Sequence, residues 1–254
     1  MSNVQSVERA LTLLNVISEY PEGIQIARLA EKVPLSKSTI HRLLSTLNNM
    51  NYVVKVPESD NYKLGYQVVY LSRNVLNSNS IKRIAQPFLE SLSNDINETI
   101  HLCIEDNGEV LYIDKIESNQ TIRMYSRVGN RAPMYCTGVG KVLLSGMTLE
   151  KFDEIVGNTS FNAKTPNTIT TKEKLNEEID KIILQGYALD NIENEEGIRC
   201  IAAPIKDYQG KIIASFSISG PSNRITMERI KDELILKVKQ TSLAISQQLS
   251  FQNE

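Results

Sequence analysis

The chain of 254 residues has no uninterrupted apolar run near the ~18–20 residues that a bilayer-spanning helix needs. Its first residues, Met1-Ser2-Asn3-Val4-Gln5-Ser6, lack a basic start and an apolar core, so no secretory leader is expected and a cytoplasmic protein is. Cysteine is scarce: Cys103, Cys136 and Cys200 are an odd number, far apart, with no CxxC pair. That argues against a disulfide framework and a structural zinc site, and reduced thiols explain the three better. Histidine is scarcer still, with His41 and His101 alone. Nucleophilic cysteine chemistry needs a base, usually His. His101 and Cys103 share one strand face, but neighbours at i, i+2 point in parallel and are more often exposed or packed than paired. P-loop, GxGxxG and HExxH patterns are missing too. The expectation is a protein without catalytic residues, metal or cofactor.

Internal repeats and low-complexity tracts do not occur. A length of 254 residues suits one large or two ordinary domains, and 41% hydrophobic with 23% charged residues is a soluble globular balance. The net charge of −2 is a poor match to nucleic acid until the chain is divided. Residues 1–75 carry eight Lys and Arg against six Asp and Glu; the remainder carries twenty against twenty-four. Placement matters more to binding than the whole-chain sum.

The most informative stretch runs from Pro34 to Leu47. Ser36 is a natural helix N-cap. After it, Ile40, Leu43, Leu44, Leu47 and Met50 recur at helical spacing. The other face carries Lys37, Ser38, His41, Arg42, Ser45 and Asn48, all hydrogen-bond donors and none acidic. Such a helix suits a DNA groove, where phosphates repel carboxylates and base edges need donors. An ordinary solvated helix has the same pattern, and context separates the two. Val7, Leu11, Leu14 and Ile17 predict a helix before it, ending near Tyr20-Pro21-Glu22-Gly23; Ile26, Leu29, Ala30 and Val33 predict a short second one. After it, residues 52–56 and 62–64 flank the Pro57-Glu58-Ser59-Asp60-Asn61 turn and read as a hairpin. Three helices and a hairpin make a winged helix-turn-helix. The donor-rich helix then becomes the recognition helix, with Lys55 and Lys63 as candidate wing contacts to phosphate.

Residues 67–79 predict a linker helix whose Val68, Val69, Leu71, Val75 and Leu76 are too apolar to face water alone; they pack on a partner subunit or on their own domain. From residue 81 the pattern changes. A helix through Ile84, Phe88, Leu89 and Leu92 precedes strands at 99–105 and 109–117 around Asn107-Gly108, then a third strand at 121–126. Helices follow from about 141 to 146, at 149–156, and from the capping-box spacing of Thr170-Thr171-Lys172-Glu173 as far as Gly186. Strands near 187–189, at 198–205 and at 211–219 precede a last long helix, 227–249. Helices bracketing an antiparallel sheet make an α+β domain.

Two segments there could hold a ligand. In Gly129 to Lys141 a glycine-bearing turn runs into a helix and can present backbone N–H groups to an anion; a plain capped loop would look the same. The other comprises Asp190 to Cys200 with Ser217-Ile218-Ser219-Gly220-Pro221. Period-two alternation sets Ser217 and Ser219 on one strand face, and Ile198 and Cys200 on one face of theirs. Those hydroxyls surround a cavity or sit in solvent.

Several stretches resemble the IclR-type bacterial transcriptional regulators. Gln5-Ser6-Val7-Glu8-Arg9-Ala10 looks like the family's N-terminal signature and Leu35 to Leu44 like its recognition helix. Gly129 to Lys141 is similar to its effector loop, and Glu195 to Ile205 and Ser217 to Pro221 to the remaining motifs. The resemblance implies a winged helix over 1–66, a dimerising linker over 67–80 and a GAF-like effector domain over 81–254. It implies operator DNA as a partner, contacted through Lys37, Ser38, Thr39, His41, Arg42, Ser45, Lys55 and Lys63. A homodimer or dimer of dimers follows, away from any membrane. Carried over by motif, the effector pocket is lined by Ala132, Gly138, Val139, Asp190, Ile198, Cys200, Ser217 and Ser219. Gly138 and Val139 would offer N–H groups to a carboxylate, Ser217 and Ser219 would complete its shell, and Asp190 and Cys200 would meet the polar far end. A small residue such as Ala132 would leave room for more than a two-carbon acid. The expected function is a sequence-specific regulator, repressing a catabolic operon under control of a 2-oxo acid or sugar acid. The competing class is a metabolite-binding enzyme with an accessory DNA-binding module.

Overall fold

The computed structural model describes residues 3–57, 59–77, 80–121 and 124–251. Glu58 of the wing turn, Ser78 and Asn79 at the end of the expected linker helix, and Ile122 and Arg123 of the expected third strand lie outside them, as do the side chains of Val75 and Leu76. Two compact units divide the chain at residues 78 and 79.

The first unit comprises α1 (Gln5–Ser18), β1 (Ile24–Gln25), α2 (Ile26–Lys32), α3 (Lys37–Asn49), β2 (Val53–Lys55), β3 (Asn61–Leu64) and α4 (Tyr66–Asn77). Ser36 caps α3 as its sequence predicts, accepting the Thr39 N–H at 3.3 Å. Ile40, Leu44 and Leu47 then point into a core shared with Leu13 and Ile17 of α1, Leu29 of α2 and Val53 of β2. Met50 does not join this stripe: it sits past the last turn of α3 and is 57% exposed. Val7 and Leu11 are likewise exposed, because α1 turns Leu13 and Ile17 inward. The hairpin acquires a third antiparallel strand, β1, in the order β1-β3-β2. Two residues carry no periodicity, so β1 leaves no trace in the sequence. On α4, Tyr66, Val69, Tyr70 and Leu71 are exposed.

The second unit opens with α5 (Ser80–Ile96) and the hairpin β4 (Thr99–Asp106) and β5 (Glu109–Ile116). The expected strand at 121–126 is not formed by the described residues 121 and 124–126; the chain leaves the sheet and returns as β6 (Arg131–Ala132), which pairs Ala132 with Val110. Next come α6 (Gly138–Ser145), α7 (Leu149–Gly157), α8 (Lys172–Gln185), β7 (Ala188–Asn191), β8 (Ile198–Lys206) and β9 (Ile212–Pro221). The last helix runs through α9 (Met227–Arg229), a π-helical turn at Ile230–Leu234 and α10 (Ile235–Phe251). All six strands are antiparallel, in the order β6-β5-β4-β9-β8-β7.

Strand alternation divides this sheet into two unlike faces. Ile100, Leu102, Ile201, Ala203, Phe216 and Ile218 face α5 and α10 and form an apolar core. The opposite face carries His101, Cys103, Ala188, Asp190, Ala202 and Ser215, Ser217 and Ser219, buried beneath α6 and α8. Helix α6 starts three residues earlier than its sequence suggests. Thr137 is the cap, accepting the Gly140 N–H at 3.2 Å, and the glycines fall inside the first turn. Gly140 is required there, since a Cβ would come within 2.4 Å of the Met134 Cα.

One ion pair ties α6 to the turn after β7. Lys141 is fully buried, and its Nζ reaches both carboxylate oxygens of Glu193 at 2.7 Å. Glu193 also accepts the Asn191 N–H at 3.1 Å. Between them Ile192 adopts φ +60°, a left-handed conformation unfavourable for a β-branched residue. Thr165 and Thr168 hold it there by donating to the Ile192 and Glu193 carbonyls, each at 2.6 Å.

Removing one partner of a buried ion pair strands the other charge, which costs ~3–5 kcal/mol. Lys141→Met should therefore lower the urea midpoint of the second unit sharply, and Lys141→Met with Glu193→Gln should recover much of the loss. A single substitution costing less than the double would contradict this account of the turn.

Candidate functional site

The first unit offers a surface and the second a cavity. On α3, Lys37, Ser38, His41, Arg42 and Ser45 are all exposed, and α3 contains no acid. Thr39 differs: it is half-buried, and its hydroxyl lies 2.9 Å from Ser36 Oγ, within the cap. The two wing lysines also part company. Lys55 lies opposite Tyr62, and Lys63 opposite Val54. Adjacent pairs alternate faces, so the lysines point to opposite sides of the hairpin. Only Lys55 shares a groove with His41, and there it pairs with Asp60 at 2.8 Å.

The cavity of the second unit lies between the polar face of the sheet and the start of α6. Gly138, Val139, Asp190, Ile198, Cys200, Ser217 and Ser219, which the sequence singles out, all line it. Ala132 does not: it sits on the edge strand β6 within the core beneath α6 and α7, so its small size says nothing about ligand room. The cavity holds about 50 Å³, space for one or two waters at ~30 Å³ each. A metabolite enters only if side chains move. A wider surface hollow of about 810 Å³ beside the β4–β5 turn contains none of the site residues read from the sequence.

Helix geometry supplies one wall. The first N–H groups of α6, on Gly138 and Val139, have no acceptor within the helix, and the helix dipole places partial positive charge there. The facing wall is a chain of hydroxyls. Ser217 Oγ lies 3.1 Å from Ser219 Oγ, Ser219 3.2 Å from His101 Nδ1, and His101 Nε2 2.6 Å from Ser126 Oγ. At the far end Asp190 accepts the backbone N–H groups of Glu193 and Asn194 at 2.8 and 3.3 Å.

His101, Tyr112, Met124, Ser126, Thr137, Asn194 and Glu195 complete the lining. His101 has a visible signal, since it stands two residues into a strand otherwise apolar around it. The β4–β5 turn sets Tyr112 opposite Cys103, and a register shift between Leu102 and Cys103 then sets Lys115 opposite His101. Ring centroids of His101 and Tyr112 are 5.2 Å apart, edge to face. No spacing in the sequence announces that shift.

Burial governs the ionisation of these groups. It pushes the Asp190 carboxyl up to about 7 against the two N–H bonds that it accepts. Burial, with Lys115 nearby, holds His101 down at about 3, so its imidazole is neutral. The thiols of Cys103 and Cys200 are pushed well up, and Cys136 to about 12, all by burial. Those are protonated thiols, unsuited to nucleophilic attack. Groups of His, Cys, Asp and Glu able to hold a metal ion are absent among the described residues.

The two units have known counterparts. The family model for the IclR helix-turn-helix domain matches residues 6–57, and that for the bacterial transcriptional regulator IclR C-terminal region matches residues 73–247. The HTH-type transcriptional regulator KdgR of Escherichia coli is 37% identical over 98% of this chain and 94% of its own. The regulator XynR of the same organism is 34% identical over 99% of both. Among solved structures, the IclR protein of Thermotoga maritima superposes with a TM-score of 0.77 at 33% identity, covering 97% of this chain and 99% of that one.

The two perturbed groups of the cavity have opposite signatures. Asp190 holds its proton to about 7 in the fold against an ordinary 3.8, so stability falls as pH rises from about 4 to 7. His101 takes no proton until about 3 against an ordinary 6.5, so stability falls as pH drops from about 6.5 to 3. Across the shared interval they oppose each other. Asp190→Asn should make the urea midpoint fall more steeply than the parent's as pH is lowered through that interval, and His101→Gln should make it fall less. Coincident profiles for all three proteins would show that neither group titrates as its burial requires.

Proposed function

The chain belongs to the IclR family of bacterial transcriptional regulators, and from that premise we propose that a small carboxylate-bearing metabolite in the second unit's cavity controls its grip on operator DNA. That the protein is a sequence-specific DNA-binding regulator follows from its family. The division of labour is ours: residues 1–66 bind DNA, 67–80 link, and 81–254 sense. We infer a repressor of a catabolic operon, acting in the cytoplasm; among the described residues no helix is long and apolar enough to cross a membrane.

One observation carries the ligand class. The cavity sets the free N–H groups of α6 against the Ser217–Ser219 pair, which suits a carboxylate, with Asp190 at the far end to receive hydroxyls. This supports a 2-oxo acid or a sugar acid. The His101–Ser126 contact has the look of a base and nucleophile, but an imidazole held neutral down to about pH 3 is a weak proton acceptor. It serves binding in this scheme, and the relatives are named as regulators. The exposed Tyr66, Val69 and Leu71 of α4 support self-association, as a homodimer or a dimer of dimers. A 100-fold change in DNA affinity on ligand binding would need ~2.7 kcal/mol of differential binding between two states.

Two experiments test this. A thermal-shift screen of the full chain against 2-oxo, sugar and aromatic acids should yield a hit, since ligand at 100 times its Kd adds ~2.7 kcal/mol. The shift should vanish in Ser217→Ala; a shift that survives both Ser217→Ala and Asp190→Asn would place the ligand elsewhere. For the DNA face, selection from a random duplex library should show that Arg42→Ala loses preference at one base pair, worth ~1–3 kcal/mol. Uniform weakening on every sequence would remove Arg42 from base contact.

A further inference from the structure

One acid stands among the described residues that wall the groove between α3 and the wing. The groove between α3 and the wing is walled by Gln25, Ile26, Ala27, His41, Lys55, Asp60 and Tyr62, and Asp60 is the carboxylate among them. Its Oδ1 takes the Lys55 ammonium at 2.8 Å, although both side chains are largely exposed, at 83% and 51%. The wing turn aims it there. Val56 N–H donates to the Asn61 carbonyl at 2.8 Å, and Asn61 N–H to Ser59 Oγ at 3.3 Å, which fixes the backbone on either side of Asp60. The direct hydrogen bond holds each partner in its charged form, raising Lys55 and lowering Asp60.

We propose that Asp60 is a specificity-determining residue of the DNA interface: by occupying Lys55 it withholds a phosphate contact that any sequence would satisfy. Phosphate contacts position a protein on the duplex and carry no sequence information. Each one releases a counterion and steepens the fall of log K with log salt by ~0.9. Bound to Asp60, Lys55 presents no net charge to the backbone. Turning it onto a phosphate breaks the pair and leaves a carboxylate in the field of a polyanion. Sequence-independent affinity is thereby lowered, and discrimination rests on the exposed donors of α3. This rests on the assignment of the α3–wing face to DNA.

The test is binding of the full chain to a random-sequence duplex, followed by fluorescence anisotropy through a salt series. Asp60→Asn should bind several-fold tighter than the parent, with a slope steeper by ~0.9. Lys55→Ala with Asp60→Asn, which again has no net charge at this pair, should return to the parental slope. An unchanged slope in Asp60→Asn would overturn the proposal. So would a gain that persists when Lys55 is Ala, because Asp60 would then repel DNA on its own account. If the parent failed to bind the duplex even at low salt, the interface itself would be wrong and the role of Asp60 with it.

Discussion

The buried Lys141–Glu193 pair is the constraint on which the second unit depends. An ammonium taken wholly out of water is stable only when a carboxylate meets it with good geometry, and both oxygens of Glu193 do so at 2.7 Å. To deliver Glu193, the turn after β7 forces Ile192 into a left-handed conformation and recruits Thr165 and Thr168 to hold it. The same turn lets Asp190 cap its own backbone. Four residues after the cap Thr137, Lys141 thus fixes both walls of the cavity at once: the N-terminus of α6 and the carboxylate opposite. Local strain at such a place is sustained because the surroundings over-determine it.

The sheet supplies the remaining order. In Ser215-Phe216-Ser217-Ile218-Ser219 the apolar residues enter the core beneath α5 and α10, and the serines enter the buried polar face. Three serines at 3% exposure or less would be costly without partners, and each has one. Their hydrogen bonds run through His101 to Ser126, so the site is closed on itself and small. A regulator needs a sensor whose two states differ in free energy by a few kcal/mol. The proposed effector cavity, whose hydroxyls pair among themselves while the first N–H groups of α6 stay open, would have that character.

Much of this architecture is legible in the amino-acid sequence. The Ser36 cap, the apolar stripe of α3 and the donor face are local features, and the fold reproduces them. Seven of eight pocket residues also meet in one cavity, because strand alternation places Ser217 with Ser219 whatever the partner strands do. Ala132 falls outside it because a motif fixes a residue's position along the chain but not its place across the sheet: on the edge strand β6, opposite Val110, it faces α6 and α7 away from the cavity. His101 resembles half of a dyad with Cys103 in sequence, whereas its partners, Ser219 and Ser126, are 118 and 25 residues away. Lys55 and Lys63 look alike in sequence, yet the hairpin register turns them apart.

Caps, helix periodicity, strand alternation and, through their order, the two-part architecture depend on neighbours within a few residues and are legible in the chain. Those signals act over one or two turns, where backbone hydrogen bonding and side-chain period leave few choices. Long-range packing decided the register shift that sets Lys115 opposite His101, and the edge strand at 131–132. It alone paired Lys141 with a carboxylate 52 residues on. Each is a long-range choice, set by which surfaces must be buried together and which buried charges must be met.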